Sequence, residues 1–415
     1  MSILLTNIKS LCGIRDSSVE KVAGADMKTF PFLENAFLFM SNGIIESFGL
    51  MSDLKREGLN FNEEINCAGK FVLPTFCDSH THVVYAGSRE GEYVDRINGL
   101  SYEEIALRGG GILNSAKKLN AATENELYIA ALARINECIM QGTGAIEIKS
   151  GYGLSMEGEL KMLRVIKKLK ENLPIPVKAT FLGAHAFPLD YKSNPDKYID
   201  VLINDMMPVI EQEKLADYCD VFCERNYFTL AQTIRILEAG KKHGMKPKVH
   251  ANQLSLSGGV QAGVQVGAVS VDHLEYVEEA EIISLQHSET MPTILPGAQI
   301  FLQLPLPPAR KMIDAGLPLA IASDYNPGSS PSGNMSLMVA LSCMLYKITP
   351  EEVFNATTIN TAYAIDLQKA HGSITKGKMA NVMVTKEIPS IAYMPYSFGN
   401  NLIEQVFING KRFNG

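Results

Sequence analysis

No stretch of roughly 18 consecutive apolar residues occurs anywhere in the 415-residue chain, so no membrane-spanning helix is expected. Met1 to Ser10 lack a basic region followed by an apolar stretch and a small-residue cleavage site, so no signal peptide is expected either. Cysteine is scarce and odd in number: seven residues, at 12, 67, 77, 138, 219, 223 and 343, mostly inside apolar segments. That usage argues for reduced core thiols in a cytoplasmic protein and against a disulfide framework. Cys219 and Cys223 are four apart, but no second pair completes a zinc knuckle, which points to packing. Positive charge is not in surplus. A net charge of −7 leaves no footprint for nucleic acid or for an anionic membrane, and a small molecule is the expected partner. Whether copies of the chain associate as a homo-oligomer is left open by composition.

What is present is the composition of a soluble globular protein, 46% hydrophobic and 20% charged. The expected fold class is α/β: a (β/α)8 TIM barrel with a small β-sandwich formed from both chain ends. Residues 1–66 carry short strand-like runs such as Ala36–Met40 and Gly43–Gly49, and residues 371–415 return to that texture with an Asn409-Gly410 turn signal. Between them, residues 67–370 alternate strand and helix, the pattern of a parallel sheet. The segment from Thr123 shows the local logic: Thr123-x-x-Glu126 is a capping box, Leu127, Ala131, Ile135 and Ile139 follow at helical spacing, and Gly142 stops the helix. Counting Phe71–Asp78 as the first strand, the segments at 145–150, 177–183, 220–223, 246–250, 268–273, 290–293 and 317–322 complete eight.

Chemistry-bearing residues recur at the ends of these strands. His80 and His82 follow strand one with alternation that points both imidazoles the same way. His250 ends strand five, His273 strand six and Asp324 strand eight. A barrel brings the C-terminal ends of its strands to one mouth. Three neutral imidazoles and a carboxylate suit one divalent metal ion, zinc or iron, with a position left for water, and hydroxide is then available near neutral pH. Asp324 fits both as a ligand and as a proton carrier; His273 fits as a proton shuttle or as a further ligand. Strand four ends in Cys223-Glu224 without a lysine, which disfavours a two-metal site and leaves Glu224 a loop carboxylate.

Pro74-x-x-Cys77-Asp78-x-His80-x-His82, the lone His250 and Asp324 resemble the amidohydrolase superfamily. The blocks His80–Arg89, Ser101–Ile112, Lys149–Gly153, Leu182–His185, His250–Ser255 and Ser323–Ser329 are similar to the branch that opens an imidazolone ring. The resemblance implies metal-dependent hydrolysis of 4-imidazolone-5-propanoate to N-formimidoyl-L-glutamate. It implies that Arg89, Tyr152, His185, Gln253 and Ser329 contact the imidazolone, and that Tyr152, Asn326 and Gly328 contact the opened product. The residue chemistry agrees. Arg89 has the planar fork that grips a carboxylate, and Gln253 offers a donor and an acceptor to a ring amide but is no general base. Gln253 and His273 both remain candidates for polarising the ring. The backbone N–H groups of Asn326–Ser329 are expected to hold an anion or carbonyl. Gly109–Gly111 reads as a close turn over the mouth, since it lacks the ending of a phosphate loop. Asn381 departs from the superfamily's usual Asp, at a position expected outside the mouth. Two other readings stand beside this one: another cyclic amide or amidine amidohydrolase or deaminase, and a barrel that has become a binding protein.

Overall fold

The computed structural model describes residues 2–100, 104 and 110–415. Most of the Ser101–Ile112 block, including Gly109, therefore lies outside the described residues.

The N-terminal part supplies β1 (Ser2–Cys12), β2 (Phe32–Ser41), β3 (Ile44–Leu50), β4 (Glu63–Asn66) and β5 (Lys70–Pro74). β1 pairs antiparallel with β2 and parallel with β5, Ser10 opposite Phe71. The barrel strands follow: β6 (Phe76–Asp78), β7 (Thr143–Lys149), β8 (Val177–Ala184), β9 (Tyr218–Cys223), β10 (Lys246–Ala251), β11 (Ser270–His273), β12 (Met291–Ile294) and β13 (Ala320–Ile321). They lie in sequence order in one parallel sheet. The chain ends in β14 (Val382–Glu387), β15 (Ile403–Ile408) and β16 (Lys411–Arg412), which join β5 in the first sheet, Val384 opposite Val72. Asn409 and Gly410 both take positive φ, 51° and 67°, as a two-residue hairpin turn demands.

The terminal sheet folds over its own core. Ile3, Leu5, Leu38, Met40, Val72, Val382 and Phe407 form one buried cluster, and Ile45 N–H reaches Lys378 O (2.9 Å) where the two arms meet. The barrel strands are buried on both faces; β7, β9, β11 and β12 have no exposed position. Between strands run the covering helices. In Glu124–Met140, Thr123 caps the Glu126 N–H and Glu126 returns the bond, and Leu127, Ala131, Ile135 and Ile139 face inward. The expected helix over 196–212 is continuous but passes through a π-helical turn, Leu202–Met206.

One element differs from the sequence expectation. Phe71–Asp78 is two strands, because the chain changes sheets at Pro74 and Thr75. Pro74 has no N–H to offer a ladder; Thr75 N–H goes to Asn381 O (3.1 Å) and Phe76 N–H to Gly142 O (2.9 Å). The barrel seam is closed beyond β6 and β13, where Asp324 N–H donates to His80 O (3.0 Å) and His82 N–H to Tyr325 O (2.9 Å). Buried Asp78 binds the seam from inside, accepting from Ser323 N–H (3.0 Å) and Ser323 Oγ (2.5 Å); burial, only partly offset by these bonds, raises its carboxyl to about 7. Asn381 ties the terminal sheet to the barrel floor through Gly144 O (3.1 Å) and Asn409 N–H (2.8 Å), away from the mouth. All seven cysteines are free and none is exposed. Among the described residues no helix is long and apolar enough to cross a membrane.

Candidate active site and metal centre

His80, His82 and His250 present ring nitrogens that all lie within 4.8 Å of one another, and each residue is buried. Asp324 reaches in from the neighbouring strand across the seam, its Oδ1 3.5 Å from both His80 Nε2 and His82 Nε2. The rings of His80 and His250 meet edge to face at 4.5 Å, and His273 lies 5.2 Å from His250, ring to ring. The backbone is bent to achieve this: φ is 89° at His273 and 52° at Asp324, left-handed conformations that non-glycine residues seldom adopt.

Two of the three imidazoles have a carboxylate at the outer ring nitrogen, while His82 Nδ1 is buried without a partner. His80 Nδ1 lies 2.7 Å from Asp272 Oδ2, and His250 Nδ1 2.9 Å from Asp220 Oδ2. A carboxylate there fixes the N–H on Nδ1 and turns the Nε2 lone pair to the centre. His80 Nε2 and His250 Nε2 are indeed buried with no protein hydrogen-bond partner. Burial, together with neighbouring cationic groups, pushes the His80 and His82 imidazoles well below their usual range, and burial holds His250 at about 3 despite Asp220. All three are therefore neutral near pH 7. Converging, neutral, unpartnered ring nitrogens plus one carboxylate are what a divalent metal needs, and the residues fit it.

Proton-carrying groups flank this centre. Burial raises the Asp324 carboxyl to about 6, against the lowering effects of His273 and Asn326. Burial disfavours the charged form of His273, but Glu275, Asp324 and Asp272 overcome it and raise the imidazole above its ordinary value. Glu275 Oε1 sits 3.8 Å from His273 Nδ1.

Above the cluster opens a cavity of about 150 Å³. Its wall carries Arg89, Tyr152, His185, Gln253, Asn326, Gly328 and Ser329 together with His82, His250, His273 and Asp324. His185 stacks on His82 at 5.4 Å and donates Nδ1–H to Gly151 O (3.1 Å), leaving Nε2 as an acceptor; burial lowers its imidazole to about 4. Tyr152 packs beside both rings, and burial raises its hydroxyl.

Carboxylates that the sequence reading left unassigned hold this wall in place. Glu92 Oε2 takes Arg89 Nε (2.9 Å) and Nη2 (2.5 Å), while Glu92 Oε1 accepts Gly111 N–H (3.1 Å). One edge of the Arg89 fork is thus engaged by the protein itself. Gly328 lies so close that an added Cβ would come within 2.2 Å of Arg89 Nη1. Buried Glu159 accepts the N–H groups of Gly151 (2.9 Å), Gly153 (2.7 Å) and Leu154 (3.1 Å), clamping the loop that carries Tyr152. Glu224 is more than a loop carboxylate: it accepts Leu254 N–H (2.8 Å) and Ser255 N–H (3.2 Å), and so fixes the turn bearing Gln253. Arg96, also missed, lines the cavity and donates Nη2–H to Gly328 O (2.9 Å).

The expected anion-holding turn after Asp324 is not available. Gly328 and Ser329 N–H both donate to Asn326 Oδ1 at 2.8 Å, and Asn326 Nδ2 donates to Asp324 O (2.7 Å) and Ser329 Oγ (2.8 Å). The Asn326 side chain closes this turn on itself, as short amide side chains do.

The amidohydrolase family profile matches residues 71–413. The chain is 56% identical over 411 residues to the imidazolonepropionase of Christiangramia forsetii, covering 99% of this chain and 100% of that one. It is 39% identical over 411 residues to the imidazolonepropionase of Brevibacillus brevis, covering 98% and 97%. Among solved structures, a zinc-bound adenosine deaminase from Xanthomonas campestris superposes with a TM-score of 0.71 at 16% identity, over 99% of this chain and 92% of that one. Guanine deaminase of E. coli gives 0.73 at 12% identity, over 99% and 98%. The two structures share the fold.

Proposed function

We propose, from the premise that the chain belongs to the amidohydrolase family and to the imidazolonepropionases within it, that it opens the ring of 4-imidazolone-5-propanoate with water at a single divalent metal, zinc or iron. The product is N-formimidoyl-L-glutamate, a step of histidine degradation. The observation that carries the reading is the end-to-end match to such enzymes in a chain whose cavity is lined by His82, His250 and Asp324, with His80 clustered against them.

In this reading His80, His82, His250 and Asp324 hold the metal, and Asp272 and Asp220 keep two of the imidazoles in the binding tautomer. When bound, such an ion supplies Lewis acidity and lowers the pKa of a water from 15.7 to about 7. Arg89 pairs with the propanoate through the part of its fork that Glu92 leaves free, so the substrate lies in one direction along the wall. Water adds to the ring carbonyl carbon, the carbon–nitrogen bond breaks, and the nitrogen departs with a proton. Asp324, which lines the cavity beside the histidines, takes the water's proton. His273, held by Glu275, returns a proton to the departing nitrogen. Gln253 and His185 Nε2 offer hydrogen bonds to the ring, and Tyr152 covers it from water.

The test is hydrolysis of freshly generated imidazolone-propanoate by metal-loaded protein, following loss of ring absorbance and appearance of formimidoylglutamate beside a chelator-treated control. Metal-dependent turnover is expected. A metal-loaded protein that leaves the substrate intact while deaminating a purine or pyrimidine would move the assignment to another amidohydrolase.

A further inference from the structure

Beneath the ligand cluster the barrel interior is ionic. Lys149, at the end of β7, places Nζ 2.7 Å from Glu147 Oε1 and 2.8 Å from Asp220 Oδ2, and 3.9 Å from Asp272 Oδ2. Those two aspartate oxygens are the same ones that face His250 Nδ1 and His80 Nδ1. Lys248, two positions before His250 on β10, sits 3.9 Å from Asp272 Oδ2 and 3.7 Å from Glu147 Oε1, and donates to Ser79 O (2.9 Å). All five charged side chains are without solvent exposure. Nothing in barrel packing requires charge there, since such interiors are ordinarily filled by branched apolar side chains. Buried ion pairs seldom add stability over apolar residues of the same volume, because desolvation consumes the Coulombic gain. Their retention points to orientation, not to stability.

We propose that Lys149 is the positioning residue of the metal centre: its ammonium bridges the two carboxylates that orient His250 and His80, so that one cation sets the direction of two ligands on different strands. Lys248 completes the frame from the β10 side and pins Ser79, the residue before His80. The layer couples β7, β9, β10 and β11 below the mouth. Loss of the Lys149 charge leaves Asp220 and Asp272 repelling across a dry space. Each aspartate then swings, and both imidazoles lose their fixed Nδ1 partner.

The proposal rests on the metal reading above, so its test is read on metal binding before any turnover is measured. Lys149→Met keeps the length of the side chain and removes the charge. Its circular dichroism should match the parent. Competition with a chromophoric chelator should show zinc held roughly 10–100-fold more weakly, the scale on which partners of metal ligands act. The visible bands of the cobalt(II)-substituted protein should shift, and at saturating metal kcat should fall with KM unchanged. If Lys149→Met does not fold, Asp220→Asn removes the bridge from the other side while keeping an oxygen for His250, and should weaken zinc by at least tenfold. Either folded variant holding zinc within twofold of the parent, with the parent's cobalt spectrum, overturns the proposal. A parent protein that takes up no zinc, iron or cobalt overturns the metal reading itself.

Discussion

Replacing Glu159 with alanine should cost the protein a large part of its stability and loosen the loop of Tyr152 at the same time. The carboxylate is buried and accepts three backbone N–H groups, from Gly151, Gly153 and Leu154, in a segment whose residues are themselves buried. A buried donor left without a partner costs about 1–3 kcal/mol. Three such donors sum to about 3–9 kcal/mol if the loop stays rigid and no water enters; relaxation places the expected value near the lower end, about 3–4 kcal/mol. That is a large share of a typical folding free energy of 5–15 kcal/mol. Glu159→Gln keeps one acceptor and turns the other into a donor facing an N–H, so about 1–3 kcal/mol is expected. The assay is urea unfolding followed by circular dichroism, comparing midpoints at equal slope, with KM measured on the folded variants. KM should rise because Tyr152 no longer has a fixed seat. An alanine variant within about 0.5 kcal/mol of the parent, the range of ordinary surface changes, would refute the claim that this carboxylate is the anchor of the loop.

Arg89→Met should raise KM for the propanoate substrate roughly 10–100-fold, the equivalent of one charge-assisted contact of about 1.5–3 kcal/mol, with little change in thermal stability; steady-state kinetics with intact substrate decides it. Gly328→Ala should act in the same direction through the guanidinium it displaces, and an unchanged KM would show that Arg89 has room to move. His185 titrates at about 4 in the fold against an ordinary value near 6.5, so the unfolded chain takes up the proton first. Stability from this residue is constant above pH 6.5 and falls as pH drops from 6.5 toward 4. His185→Gln should therefore flatten the decline in urea midpoint between pH 7 and pH 5, and a decline as steep as the parent's would contradict it. Glu224→Ala should raise KM by freeing the turn of Gln253, while metal content measured by atomic absorption stays at the parent's level.

The barrel was legible because strand ends and helix starts carry local marks: Thr123 and Glu126 announce a helix by their own bonds, and His80 and His82 announce a shared direction by alternation. The ligand cluster followed from those marks once eight strands had been counted. The change of sheet inside Phe71–Asp78 was not legible, since an apolar run looks the same whichever neighbour it pairs with, although Pro74 was a usable warning. The ionic layer had a signal that went unread: Glu147-x-Lys149 and Lys248-x-His250 put charge on alternate, buried positions of barrel strands. The turn at Asn326 was misread for a physical reason. Backbone donors in a glycine-containing loop look free until a neighbouring amide side chain is seen to occupy them.

The sheet that joins both chain ends sets a timetable for synthesis. Val72 pairs with Val384, so the strand leading toward His80 and His82 lacks its neighbour until about 310 further residues have left the ribosome, on the order of 15–60 s at 5–20 residues per second. For that interval β5 presents an unpaired edge, the kind of surface that recruits other strands. The nascent chain must carry β5 half-anchored throughout, and the last strands to emerge act as the latch that seats it.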